Sequence, residues 1–264
     1  MKKITISDIE KMKKAGEKFS CLTAYDATFA QLISDVGVDI ILVGDSLGNV
    51  IQGKETTVPV TLEQMSYHIS AVAAGNQRCL IMGDLPYMTY NTPQEAYASA
   101  RTIMQAGAHM VKLEGGAWLL ETIQGLTDRG VPVCAHLGLT PQSVDALGGF
   151  KVQGRDQQTA DKIIADAKAL ENAGARMLVL ECVPSVLAQR ISQAVNMPVM
   201  GIGAGVDVDG QVLVLHDMLG ISPFQAKFVR NFMQDAQGDI KAALELYHQA
   251  VKNKEFPAQE HGFE

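Results

Sequence analysis

The sequence predicts a (β/α)8 TIM-type barrel, one domain over residues 1–264, with an N-terminal helix before it and extra C-terminal helices after it. Three observations carry that expectation. Short apolar runs recur along the chain, and most lack the alternation of a strand with one wet face, so they read as strands covered on both sides. Amphipathic helical segments separate many of them, and strands alternating with helices imply a parallel sheet. The length of 264 residues matches the roughly 250 of such a barrel. An open doubly wound sheet would show fewer strands and a glycine-rich first turn, whereas the turn here, YDATFAQLI, has no glycine.

The elements follow in order. SDIEKMKKAG reads as the leading helix, with Ser7 as its cap, plugging the barrel's bottom or packing at its edge. The strand candidates are FSCLTAYD (19–26), DIILVGDS (39–46), CLIMGDLP (79–86) and HMVKLEGG (109–116), then VPVCAHLGL (131–139), RMLVLECV (176–183), PVMGIGAG (198–205) and VLVLHDML (212–219). Residues 62–73 put Leu62, Met65, Ile69 and Val72 on one helical stripe. Residues 92–106 carry helix punctuation: Thr92 as cap, Pro93 at the first position, Glu95 closing a capping box and Gly107 as the stop. VGVDIILVGD, AGAHMVKLEG and AGARMLVLEC each place a glycine after a helix and an acid at the end of the next strand. Residues 223–235 and 239–251 read as two closing helices, and the long connections 46–61 and 140–158 as lids or binding loops.

Composition narrows the function. Apolar residues make up 47% of the chain and charged ones 19%, which describes a globular protein with a large core. A net charge of -7 argues against a general nucleic-acid or anionic-membrane binder, so neither partner is expected. No apolar stretch follows the two N-terminal lysines, and no run is long enough to span a bilayer. Cys21, Cys79, Cys134 and Cys182 are scattered singly through the predicted strands, as buried thiols in a reducing cytoplasm would be. A cytoplasmic location is therefore expected.

The strands end in chemistry. A barrel gathers the C-terminal ends of its strands at one mouth, so Asp26, Asp45, Asp84, Glu114, His136, Glu181 and His216 should converge there. Carboxylates packed together repel unless something positive joins them, and hard oxygen donors without a Cys or His cluster favour Mg²⁺ or a similar ion over zinc. Asp26, just before ATFAQLI, reads instead as a helix cap. Asp45 and Asp84 both follow a glycine and end similar strands, and they are the candidate ligands. Lys112 lies two residues before Glu114, so a strand points both side chains to one face. They are either an ordinary buried ion pair or a lysine neutralising a substrate beside a metal-linked acid. Glu181 is the candidate general base, since partial burial makes a glutamate more basic. His136 is either a satisfied core histidine or a substrate hydrogen-bond partner. GIGAG (201–205) lacks the spacing of a dinucleotide site and reads as close backbone packing.

LTAYD, VGDSLGNVIQG, MGDLPY, VKLEGG, AHLGLTPQS, LVLECVP and GIGAG, in this order from residue 19 to the FVRNF region, resemble the ketopantoate hydroxymethyltransferase family. VGDSLGN together with KLEGG is the specific part. The resemblance implies that Asp45 and Asp84 bind Mg²⁺, with Glu114 in the same metal site directly or through water. It implies that Ser46 and Lys112, with Asp45, Asp84 and His136 beside them, hold an α-keto acid, and that Glu181 removes its proton. The implied co-substrate is 5,10-methylenetetrahydrofolate, the acceptor 3-methyl-2-oxobutanoate and the product 2-dehydropantoate, an intermediate on the way to pantothenate. It further implies a homo-oligomer, a decamer in bacterial members, and kinship with the isocitrate lyase and phosphoenolpyruvate mutase barrels. Two rivals stay open: a Mg²⁺-dependent lyase or mutase acting on a related oxo acid, and a non-catalytic binding or assembly barrel.

Overall fold

A computed structural model describes residues 2–223 and 225–264. Strands β1 (Phe19–Thr23), β2 (Ile40–Val43), β3 (Leu80–Asp84), β4 (Met110–Glu114), β5 (Val133–Gly138), β6 (Met177–Glu181), β7 (Val199–Ile202) and β8 (Gly210–Leu213) pair in chain order. All pairs are parallel, and β8 returns to β1 to close the barrel. The helices are α1 (Ile6–Ala15), α2 (Ala27–Val36), α3 (Leu47–Val50), α4 (Leu62–Gly75), α5 (Pro93–Gln105) and α6 (Leu120–Asp128) in the first half. In the second half come α7 (Val144–Leu147), α8 (Gln157–Asn172), α9 (Ser185–Ala194), α10 (Leu215–Met218), α11 (Phe232–Asp235) and α12 (Ile240–Lys252).

The strand period decides what fills the barrel. Inward positions carry Leu80 and Met82 on β3, Met110 on β4, Cys134 on β5, Met177 and Val179 on β6 and Met200 on β7, which pack as one apolar cluster. Ile4, Ile6 and Ile9 join the same cluster, so α1 plugs the bottom. The outward positions pack against the helices; the stripe Met65, Ile69 and Val72 of α4 is fully buried there. Gly37, Gly107 and Gly174, the glycines of the repeated junctions, have φ of 95°, 120° and 105°. That left-handed backbone lets each helix stop within a residue or two and turn into its strand, which a side chain would oppose.

Several expectations hold in detail and others are corrected. Thr92 and Glu95 form the expected capping box on α5, with Pro93 in its first turn. On α1 the cap is Thr5, not Ser7: the Thr5 hydroxyl accepts from the Asp8 N–H while the Asp8 carboxylate accepts from the Thr5 N–H. The last strand stops at Leu213 instead of running through residue 219. The Leu215 N–H donates to Thr23 Oγ1, which turns the chain off the sheet into α10. Of the helix expected over 223–235, Phe224 lies outside the described residues and only Phe232–Asp235 is helical. Asn231 starts it late by accepting the N–H groups of Met233 and Gln234. The helix expected over 239–251 is α12, whose Tyr247 hydroxyl is tied to the carbonyls of Cys21 and Gln211 at the β1–β8 seam. All four cysteines are free and buried, with Cys79 and Cys182 flanking their strands rather than within them.

Candidate active site

The apolar filling ends near the C-terminal ends of the strands, and the inward positions that follow are charged. Asp84 succeeds Met82, Lys112 and Glu114 succeed Met110, His136 succeeds Cys134 and Glu181 succeeds Val179. Register then sets neighbours: Asp84 pairs with Lys112 across β3 and β4, and Glu114 with His136 across β4 and β5. Asp45 follows β2 after Gly44, where a Cβ would lie only 3.3 Å from Asp84 Oδ2 and 3.1 Å from Ser46 Oγ. The absence of a side chain at residue 44 thus lets the two aspartates meet. The Asp45 N–H donates to Asp84 Oδ2 at 3.1 Å.

Lys112 sits among these acids, 4% exposed. Its Nζ is 2.5 Å from Asp84 Oδ1 and 3.4 Å from Glu114 Oε1. Burial opposes its charge, but Asp84, Glu114 and Asp45 outweigh that and hold its pKa well above the usual lysine value. Burial would likewise raise the Glu114 pKa, and Lys112 and His136 bring it below the ordinary range instead. The two aspartates go the other way. Burial, then repulsion from Asp84 and Glu114, pushes Asp45 up to about 7, with Lys112 and Gln142 opposing. Asp84 is raised as well, by burial first, although Lys112 pulls against it.

His136 lies between two acids, its Nδ1 3.2 Å from Glu114 Oε1 and its Nε2 3.3 Å from Glu181 Oε2. These are charge contacts without hydrogen-bond alignment, as neither ring nitrogen has a well-directed partner among the described residues. Burial and Lys112 disfavour the imidazolium, yet Glu114 and Glu181 lift its pKa to about 9. His136 thus bridges Glu114 and Glu181 at the cavity wall. Glu181 is more open, its side chain 15% exposed.

One residue that sequence reasoning missed holds the site together. Gln142, in the 140–158 connection, is 4% exposed. Its Nε2 donates to Asp45 Oδ2 at 2.8 Å and to the Leu85 carbonyl at 3.0 Å. Its Oε1 accepts from the Tyr90 hydroxyl at 2.5 Å, and its N–H donates to Glu114 Oε2 at 3.0 Å. Tyr25 was missed too; its hydroxyl is 2.8 Å from Ser46 Oγ. Both lie inside quoted motifs, AHLGLTPQS and LTAYD, which were the available signal.

Asp45, Ser46, Asp84, Lys112, Glu114, His136 and Glu181 all line one cavity of about 660 Å³. The connection 46–61 contributes Asn49, Lys54 and Thr57 to its wall, and the connection 140–158 contributes Phe150 and Val152, so both long loops line the cavity. Asp26 and His216 are not part of it. Asp26 caps α2 by accepting from the Phe29 N–H, and His216 packs on the Tyr25 ring from α10.

The donor set fits Mg²⁺ in a particular way. Among the described residues, no three His, Cys, Asp or Glu side chains close around one point as a ready-made cage. Two aspartates press together against their own charge, the condition a divalent cation relieves, while Glu114 is engaged by Lys112, His136 and Gln142. Such a pair suits an ion that keeps waters and takes its remaining oxygens from a substrate.

Comparison with known proteins bears on the fold and the family. The barrel resembles that of 2,3-dimethylmalate lyase, a member of the PEP mutase/isocitrate lyase superfamily, with a TM-score of 0.58. The match covers 93% of this chain and 98% of that one at 14% identity, a likeness of fold alone. The 3-methyl-2-oxobutanoate hydroxymethyltransferase of Pseudomonas putida is 58% identical over 100% of this chain and 99% of its own length. That of Vibrio atlanticus is 55% identical over 99% of both. With residues 3–259 also matched by the model of ketopantoate hydroxymethyltransferase, the chain belongs to that family.

Proposed function

We propose that the chain transfers a hydroxymethyl group from 5,10-methylenetetrahydrofolate to 3-methyl-2-oxobutanoate, with Mg²⁺ as cofactor, giving 2-dehydropantoate. The observation that carries this reading is the buried amine at the cavity floor: Lys112 between Asp84 and Glu114, with Glu181 on the adjoining wall. An amine so placed is arranged for an anion that develops during reaction, and membership of the family supports the choice of substrates.

Asp45 and Asp84 would hold the metal, with Glu114 in the same site directly or through water. When bound, Mg²⁺ would supply Lewis acidity to the keto acid's oxygens. Ser46, positioned by the Tyr25 hydroxyl, donates to the keto acid, and Lys112 balances its negative charge. Glu181 takes the C3 proton, and the electron pair moves into the C2–C3 bond to give an enolate whose charge Lys112 offsets. His136, 3.3 Å away, orients the Glu181 carboxylate. Water adds to the folate's one-carbon unit and its C–N bonds break, returning protons to the nitrogens of tetrahydrofolate and leaving the unit as formaldehyde. The C3 carbon attacks that carbonyl carbon, whose oxygen takes a proton and becomes the hydroxyl, so the products are 2-dehydropantoate and tetrahydrofolate. The cavity exceeds what a five-carbon keto acid fills, which supports a second, larger substrate beside it.

The test is stoichiometry. In the presence of Mg²⁺, the protein should consume 3-methyl-2-oxobutanoate and methylenetetrahydrofolate one for one, with 2-dehydropantoate identified by mass spectrometry. No turnover with that pair would favour a lyase or mutase. The remaining inferences concern the whole molecule. Residues 1–264 act as one domain, supported by α12 packing across the barrel seam. The chain forms a homo-oligomer, a decamer by family resemblance, and analytical ultracentrifugation would read its state. Four free thiols support a cytoplasmic setting, and no described helix is long and apolar enough to cross a membrane.

A further inference from the structure

The cavity holds one acid that the chemistry above leaves unused. Asp217, on α10, lines it and is 9% exposed. Ser222 hydrogen-bonds its carboxylate, but Oδ1 is buried with no hydrogen-bond partner among the described residues. A buried oxygen left in that state is destabilising unless something enters to bond it. Burial correspondingly raises the Asp217 pKa, with the Ser222 bond opposing.

Its surroundings describe what could enter. Asp217 is close enough to Tyr25 to disfavour loss of that hydroxyl's proton, and Tyr25 in turn bonds Ser46 at the keto acid end. The same cavity is bounded by Phe228 and Phe263, whose rings meet edge to face at 6.5 Å. A carboxylate that shares a cavity with an aromatic wall suits a flat ligand with apolar faces and adjacent N–H donors on one edge. A reduced pterin has that edge in its N3–H and 2-amino groups.

We propose that Asp217 binds the 2-amino-4-oxo edge of the tetrahydrofolate co-substrate, turning its one-carbon unit toward the keto acid. This assignment rests on the function proposed above and adds a specificity-determining residue to it. Asp217 takes no part in proton removal or in holding the metal. Oδ1, which no described residue bonds, is the oxygen left for the pterin donors, so the carboxylate selects the folate without entering the enolate chemistry.

The test separates the two halves of the reaction. Asp217→Asn should raise the KM for methylenetetrahydrofolate about tenfold to a hundredfold, the loss expected for hydrogen bonds to a charged group. The KM for the keto acid should stay unchanged, as should exchange of its C3 hydrogen with deuterated water in the absence of folate. An unchanged folate KM overturns the assignment. A fall in exchange matching the fall in turnover also overturns it, because Asp217 would then only be closing the α10 turn with Ser222. If the variant does not fold, the wild type decides: a tetrahydrofolate analogue lacking the 2-amino group should bind at least about tenfold more weakly by calorimetry. Equal affinity for the two folates rules Asp217 out. A wild type that exchanges the C3 hydrogen yet never consumes the folate overturns the proposed function itself, and this assignment with it.

Discussion

Replacing Lys112 with methionine removes the positive charge from the cavity floor while keeping most of the stem's volume. Both partners are nearly inaccessible, Lys112 at 4% and Asp84 at 1% exposure, so water cannot take over the lost contact at 2.5 Å. Glu114 retains His136 at 3.2 Å, which leaves Asp84 as the stranded carboxylate. Breaking a buried pair on one side costs about 3–5 kcal/mol. At about 2–4 °C per kcal/mol for a chain of this size, Tm should fall by roughly 6–20 °C at pH 7.5 without metal. The sign of the pH effect follows from Asp84. Its folded pKa is already raised, by burial first and against the pull of Lys112, and losing Lys112 raises it further. A group whose pKa is higher folded than unfolded destabilises the fold as pH rises above the unfolded value. Lowering the pH from 7.5 to 5.5 should therefore recover part of the lost stability. Calorimetric unfolding at both pH values, with and without Mg²⁺, measures this, and Mg²⁺ should raise Tm more in the variant than in the wild type. A variant within about 1 kcal/mol of wild type at both pH values would refute the buried pairing.

Three other outcomes are expected. Glu181→Gln should lower kcat by about 10²–10⁴ while calorimetry finds Mg²⁺ and keto acid affinity nearly unchanged; equal turnover would remove Glu181 as the base. Gln142→Ala should cost about 1.5–3 kcal/mol from the bond to Asp45 alone, read as a lower Tm, and should weaken keto acid binding in Mg²⁺ about tenfold. Mg²⁺ competes with the proton that burial, Asp84 and Glu114 keep on Asp45 up to about pH 7. Its apparent affinity should therefore drop about tenfold per unit below that pH, and a flat profile from pH 8 to 6 would contradict the assignment.

Much of the site was legible because a strand has a fixed period. Spacing by two put Lys112 and Glu114 on one face, and the position of each acid at a strand's end placed it at the mouth. The same reasoning overreached at residues 212–219, where the apolar run continues past the point at which Thr23 captures the Leu215 N–H. His216 was read as a strand-end residue for that reason. Asp217 lies in the same run, and nothing in its sequence neighbourhood distinguishes an acid lining a cavity from one facing water.

The sequence by itself determined the barrel, the helix caps at Thr92 and Asp26, and the order in which apolar filling gives way to charge along each strand. These are local matters, set by side-chain period and by hydrogen bonds three or four residues apart. Only the tertiary structure decided who meets whom: Asp84 beside Lys112, Glu114 beside His136, and Gln142 reaching Asp45 from a loop 97 residues away. Strand register and loop path follow from closing eight strands into one barrel, a condition on the whole chain that no short stretch encodes.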